Sequence, residues 1–488
     1  MPIDKLSSSG APTGRTLARG VIWIGLFRWS AQLLSWAAFL VVIRNISPGD
    51  YGVAGLALAL VAVASVVSEL GLGTAIIAQP NMSPNQVAQL NVLAIAISIG
   101  VSGFLFTSAP LFATFFSEQR LTNVFRALSL VFLAEGARTV PFAILAKSLK
   151  YRLTASIDFA RAVVTSLFVL TLALAGKGYW ALVIGNIAGS FFATIWVCGF
   201  HDVGYLWPRM SALRNSLQLG LHVVVSRLSW TIYRNSDFFV AGRMFGSVQL
   251  GQYTAAWNVA SLPGEKLGNV LTSATQPFFA AVQHRKSDLK RYFLGSSQAL
   301  AFTIFPLLVG LIWVADLAVP IVLGNQWTTS IGPLRWLIVY AAANAVITPV
   351  SQVINVTRNT RIGMVSSLIS LVVLPVAFAI GGHYGALSGI AAAWVVTFPL
   401  LSALPLRIAL KALDIRWSEY TAIFRRVIES VAVMSVVVIA VRALHDWHHR
   451  NAAELMCAVA AGAAAYIAMA WLRQRTFLLT LLRLADRR

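Results

Sequence analysis

The sequence predicts an all-α polytopic membrane protein of about 14 transmembrane helices, arranged as two six-helix lobes in parallel repeat plus two further C-terminal helices. Three observations predict it. Hydrophobic residues make up 58% of the 488-residue chain and charged residues only 11%, where a soluble domain carries roughly a quarter charged. Apolar runs of about 20 residues, the length needed to cross a bilayer, recur along the whole chain. Two stretches about 200 residues apart resemble each other.

The runs lie near 21–43, 51–77, 87–113, 121–146, 153–175, 179–200, 216–242, 250–281, 292–315, 331–356, 362–381, 385–410, 421–443 and 452–472. The net charge of +21 would point to nucleic acid in a soluble chain. In a membrane protein it reflects basic residues gathered in cytoplasmic loops, and no nucleic-acid partner is expected. With the N-terminus placed inside, 24 of the 38 Lys and Arg fall in inner segments and 8 in outer loops. That split predicts an even number of crossings and cytoplasmic N- and C-termini. The basic residues before the first run, with no small-residue cleavage site after it, read as an uncleaved anchor. Cys198 and Cys457 sit in or near apolar runs, so no disulfide framework is expected.

The repeat orders the chain. "RNISPGDYGVAGLALALVAVASVVSELGLG" follows the first run and "GRMFGSVQLGQYTAAWNVASLPGEKLGNVL" follows the seventh. Six crossings separate them, an even number, so both halves insert the same way up, as in transporters with parallel repeats. The domains expected are residues 1–205, 206–412 and 413–488, the last holding the two added helices and a basic tail. Two stretches, "QHRKSDLKRYF" and the C-terminal "LRQRTFLLTLLRLADRR", mix basic and apolar residues as surface-lying helices do.

The charges inside the runs carry the functional signal. Five Arg and one Lys at bilayer depth would together cost about 15–20 kcal/mol facing lipid, so they face partners or a wet cavity. Glu135 with Arg138, and Asp158 with Arg161, are three apart and able to pair within their own helices. Arg28 has no such acid, and its face continues through Gln32 and Ser35. Arg227 and Arg234 share a face with Thr231 and Asn235, and Asp237 lies near Arg234. Arg28 and Arg227 hold similar places in the two repeats and are expected to line one cavity, with Glu69 and Glu265 as alternative ion-pair partners. The eighth run carries Asn258, Ser261, Glu265, Asn269, Thr272 and Gln276 on one helical face, with Pro263 and Gly264 expected to kink it. The tenth has Asn344, Thr348, Ser351, Gln352 and Asn355 in similar register. Arg suits phosphate recognition and amides suit sugar hydroxyls, so the substrate-binding candidates are Arg28, Gln32, Arg227, Arg234, Asn258 and Asn269. No catalytic residue, metal ligand set or cofactor is expected; the "HDWHHR" run at 445–450 reads as a solvated outer loop.

The chain resembles polysaccharide-export flippases of the multidrug/oligosaccharidyl-lipid/polysaccharide exporter superfamily. The resemblance rests on "RNISPGDYGVAGLA" with "ELGLGTAII", on "NSDFFVAGRMFGSVQLGQYTAAWNVASLPGEKLGNVL" with "QPFFAAV", and on "VLGNQWTTSIGPLRWL". It implies two six-helix lobes around a central cavity and alternating-access export of undecaprenyl-diphosphate-linked oligosaccharide, driven by an ion gradient, for which the acids Glu69, Asp237 and Glu265 are the ion-coupling candidates. The diphosphate would meet Arg28, Arg227 and Arg234. The expected partners are that lipid-linked substrate, membrane lipids and other polysaccharide-assembly proteins. Two alternatives stay open: a membrane polysaccharide polymerase or ligase, which the short outer loops disfavour, and a multidrug cation exporter, whose cavity would be acidic and aromatic.

Overall fold

The computed structural model describes residues 30–32, 34–79, 82–200, 203–282, 285–357, 360–444 and 452–486. Every regular element among them is helical. Helix α1 covers 30–32 and 34–45. Ser47 then caps α2 (Pro48–Glu69), its hydroxyl accepting from the Asp50 amide, and Pro48 stands in the first turn, where its missing donor costs nothing. The run expected at 51–77 is broken, because Leu70 and Gly71 take left-handed dihedrals and α3 (Leu72–Ala78) starts afresh. A capping box of Ser83 and Gln86 opens α4 (Pro84–Phe115). Then come α5 (Arg120–Lys147), α6 (Tyr151–Leu174) and α7 (Tyr179–Phe200).

Helix α8 (Met210–Ala281) runs 72 residues with one interruption, at Gly246. There φ is 74° and ψ −178°, a region open essentially to glycine alone. This residue therefore separates the seventh run from the eighth. The backbone stays helical through Pro263 and Gly264, where the sequence suggests the kink. Helix α9 (Lys286–Ala318) leads through a π-helical turn (Val319–Leu323) and a 3-10 turn (Asn325–Ser330) into α10 (Ile331–Val356). Helix α11 (Thr360–Ala412) breaks at Gly385 and Ala386, the boundary expected between the eleventh and twelfth runs. Helices α12 (Trp417–Leu444) and α13 (Ala452–Asp486) complete the chain.

Among the described residues, nine helical segments are long and apolar enough to cross a membrane, by length and composition. One of these, Gly363–Ala412, has 50 residues, or about 75 Å of helix against a hydrocarbon core of about 30 Å. In the two basic-apolar stretches expected on the membrane surface, the described residues are helical: Lys286 opens α9, and 472–486 continue α13. Neither has a breaker between it and the apolar run it adjoins.

The described residues form two compact units that part between Gly251 and Gln252. In the first, Leu72, Ile76, Leu90, Val140 and Leu213 pack one core. In the second, Phe293, Val353, Leu410, Tyr420, Phe424 and Tyr466 pack another. Large apolar side chains such as Phe104, Leu111, Ile195 and Leu400 stay exposed, as lipid-facing positions require.

Candidate functional site

Helix α2 lies antiparallel to the first half of α8. Leu56 touches the position of Gly242, and Gly71 meets Gly220 backbone to backbone. A β-carbon on Gly71 would stand 2.6 Å from the Gly220 carbonyl oxygen, and one on Gly220 would stand 2.7 Å from that of Leu70. Arg227 lies seven residues beyond Gly220, on the same helical face, and this close approach brings it to the end of α2. Its Nη1 donates to Glu69 Oε2 at 2.6 Å. The side chains are 51% and 33% exposed, so the pair is not sealed in a dry interior.

A polar layer continues from this pair through the first unit. One turn before Glu69, the Ser65 hydroxyl donates to Glu135 Oε2 at 3.0 Å, which ties α2 to α5. Arg138 lies over the Phe142 ring at 5.5 Å. Spacing allows Glu135 and Arg138 to pair within α5, but the fold directs them to these different partners. Arg161 donates to Ser190 Oγ at 3.0 Å, joining α6 to α7, and lies within electrostatic reach of Arg138, Glu135 and Asp158. Ser68 and Ser98 share a hydrogen bond at 2.7 Å.

The remaining candidates are spread out. Gln32 is half-buried on α1. Arg234 lies over Trp230 at 4.9 Å. Asp237 is 0% exposed and accepts from the Phe238 amide at 2.9 Å. Asn258, in the second unit, accepts the Ser261 hydroxyl at its carbonyl oxygen, 3.3 Å away. Arg28, the side chains of Glu265 and Asn269, and the 445–450 run lie outside the described residues. Of the nine candidates, then, the structure brings Glu69 and Arg227 into contact, a residue expected to bind substrate and one expected to couple to ions.

Two participants were not singled out from the sequence. Ser65 is one turn from Glu69 on the same face, a signal the spacing does contain. Arg120, assigned to an outer loop, opens α5 and gathers several elements. It donates to Asp50 at 3.0 Å, to both Glu118 oxygens at 2.8 Å and to Ser247 Oγ at 3.1 Å, with the Tyr179 ring 5.8 Å away.

Residues 41–332 match the family described as polysaccharide biosynthesis protein. The chain belongs to that family. The teichuronic acid biosynthesis protein TuaB of Bacillus subtilis (strain 168) is 24% identical over 296 residues, 60% of this chain and 61% of that protein; the chain thus spans about three fifths of that relative's length. The succinoglycan biosynthesis transport protein ExoT of Rhizobium meliloti (strain 1021) is 23% identical over 486 residues, 97% of this chain and 96% of its own. Among solved structures, the lipid II flippase MurJ in an inward closed conformation superposes with a TM-score of 0.76 at 11% identity, over 94% of this chain and 100% of that one. An inward-facing multidrug resistance MATE transporter of the MOP superfamily gives 0.61 at 15% identity, over 78% of this chain and 94% of that one. The family member thus has the fold of MOP-superfamily transporters, and the residues behind the sequence resemblance lie mostly within the matched region.

Proposed function

We propose that this polysaccharide biosynthesis protein moves an undecaprenyl-diphosphate-linked oligosaccharide from the inner to the outer leaflet of the bacterial inner membrane by alternating access. The observation that carries this reading is the half-exposed Arg227–Glu69 pair, which joins the end of α2 to α8. A partly solvated ion pair contributes only about 0.2–1 kcal/mol. A diphosphate offers a guanidinium bidentate, charge-assisted bonds of about 1.5–3 kcal/mol each, enough to displace a single carboxylate. Arg227 then takes the diphosphate while Glu69 is freed to take up the coupling ion, so one exchange links cargo to gradient. The names of a succinoglycan transport protein and a lipid II flippase support this cargo class.

In this reading residues 1–205 and 206–412 are the alternating lobes and 413–488 an addition. Arg28, Gln32, Arg234, Asn258 and Asn269 line the path, and Asp237 and Glu265 are further ion-coupling acids. Other polysaccharide-assembly proteins take up the product, and the chain itself performs no bond chemistry.

The test is a proteoliposome assay with fluorescent undecaprenyl-diphosphate-linked N-acetylglucosamine. Arg227→Ala lowers the flipping rate at least tenfold and Arg227→Lys restores part of it. Glu69→Gln binds the probe more tightly yet turns over more slowly. A wild-type rate in Arg227→Ala sinks the assignment.

A further inference from the structure

The two repeat motifs meet each other reciprocally. In the first, Pro48 and Gly52 open α2; in the second, Ser247 and Gly251 follow the Gly246 break. A β-carbon on Gly52 would stand 1.8 Å from the Ser247 carbonyl oxygen, and one on Gly251 would stand 1.8 Å from the Pro48 carbonyl oxygen. Pro48 and Ser247 are 199 positions apart, and so are Gly52 and Gly251. Equivalent atoms of the two repeats therefore touch in both directions, as the two sides of a twofold interface do.

The contact is bare backbone. No side chain interlocks across it at the two glycines, although Leu56 and Leu250 pack beside it against Gly242. Polar groups flank it as well. Arg120 holds Asp50, beside the first turn, and Ser247, beside the second, while Glu118 orients its guanidinium. Gly49 faces Val248, with a β-carbon at 49 falling 3.4 Å from the valine methyl.

We infer that the Gly52–Gly251 contact is a closure that must part in each transport cycle, at the end of the helices that the charge distribution puts outside, with Arg120 as its positioning residue. This rests on the transport reading above. A side chain at 52 or 251 cannot fit the closed form and wedges it open, shifting the population toward the parted state.

The experiment uses the full chain with Cys198→Ser and Cys457→Ser, carrying Gly49→Cys and Val248→Cys, chosen because a β-carbon at 49 lies 3.4 Å from the Val248 methyl. Oxidation is expected to cross-link the resting protein, cut flipping of the fluorescent undecaprenyl-diphosphate probe at least tenfold, and release it on reduction. Adding Gly251→Ala or Arg120→Gln slows cross-linking at least tenfold while the thermal midpoint stays within a few degrees. Full-rate flipping by the cross-linked protein overturns the inference, as does failure of the pair to cross-link. A collapse of the thermal midpoint in Gly251→Ala also overturns it, because the contact would then be ordinary packing. Cross-linking reads the closure whatever the cargo, so a wrong cargo leaves that readout intact and a wrong closure does not.

Discussion

At the residue scale, the charges act through where their partners lie. Glu118 sits between α4 and α5 and receives two hydrogen bonds from one guanidinium, and Arg120 thereby holds its carboxyl below the ordinary glutamate range. A depressed carboxyl stabilises the fold above its unfolded value of about 4.3 and loses that contribution as pH falls through the folded value. The thermal midpoint of the wild type is therefore expected to drop more steeply below about pH 4 than that of Glu118→Gln. Parallel pH profiles for the two proteins would remove Glu118 from the clamp. The same logic separates Arg227 from Arg442. The first is half-exposed beside one carboxylate, Glu69; the second, 25% exposed, is bonded to two, Asp316 and Glu454.

At the element scale, Arg442 shows how α12 and α13 join the second unit. From α12 it donates to Asp316 on α9 at 3.2 and 2.8 Å, to Glu454 on α13 at 3.3 Å and to the Trp313 carbonyl. Arg335 on α10 approaches the same aspartate at 3.7 Å. Four helices thus converge on these charged atoms, whose side chains range from 6% exposed at Glu454 to 49% at Arg335. Removing Arg442 takes a charged partner from the buried Glu454 carboxylate, at a cost of about 1–3 kcal/mol, while Asp316 keeps Arg335. Arg442→Ala is expected to destabilise the detergent-solubilised protein by that amount, and Arg442→Ala with Asp316→Asn by clearly less than the sum of the single changes. Additive losses in that double-mutant cycle would show that the helices are held by apolar packing instead. The helices themselves were legible to different degrees. Helices α4 to α7 follow from long apolar runs between polar turns. The break at Leu70 and Gly71 was not legible, because Leu70 is an ordinary residue in a left-handed conformation that only tertiary packing sustains.

At the scale of the whole molecule, the uneven distribution of Lys and Arg sets the orientation proposed above, since basic loops are retained on the cytoplasmic side. Exposed Leu149 lies in a segment with Lys147, Lys150 and Arg152, while exposed Ser117 precedes the α5 clamp. In a background of Cys198→Ser and Cys457→Ser, Ser117→Cys is expected to react with an impermeant thiol reagent added to spheroplasts, and Leu149→Cys only after lysis. The opposite pattern would invert the topology.

The sequence alone determined the all-helical membrane fold, the repeat and the presence of guanidinium groups within apolar runs. These are properties of composition and local periodicity, and the cost of exposing polar backbone to lipid leaves helices as the consistent outcome for such runs. It could not say which carboxylate meets which guanidinium. Glu69 and Arg227 are 158 positions apart, and their meeting depends on two glycines at which α2 and α8 approach closely enough for the side chains to reach. Nor could it distinguish the half-exposed Arg227 from the less exposed Arg442, because that difference is one of solvent access, which arises only when helices distant in sequence pack together.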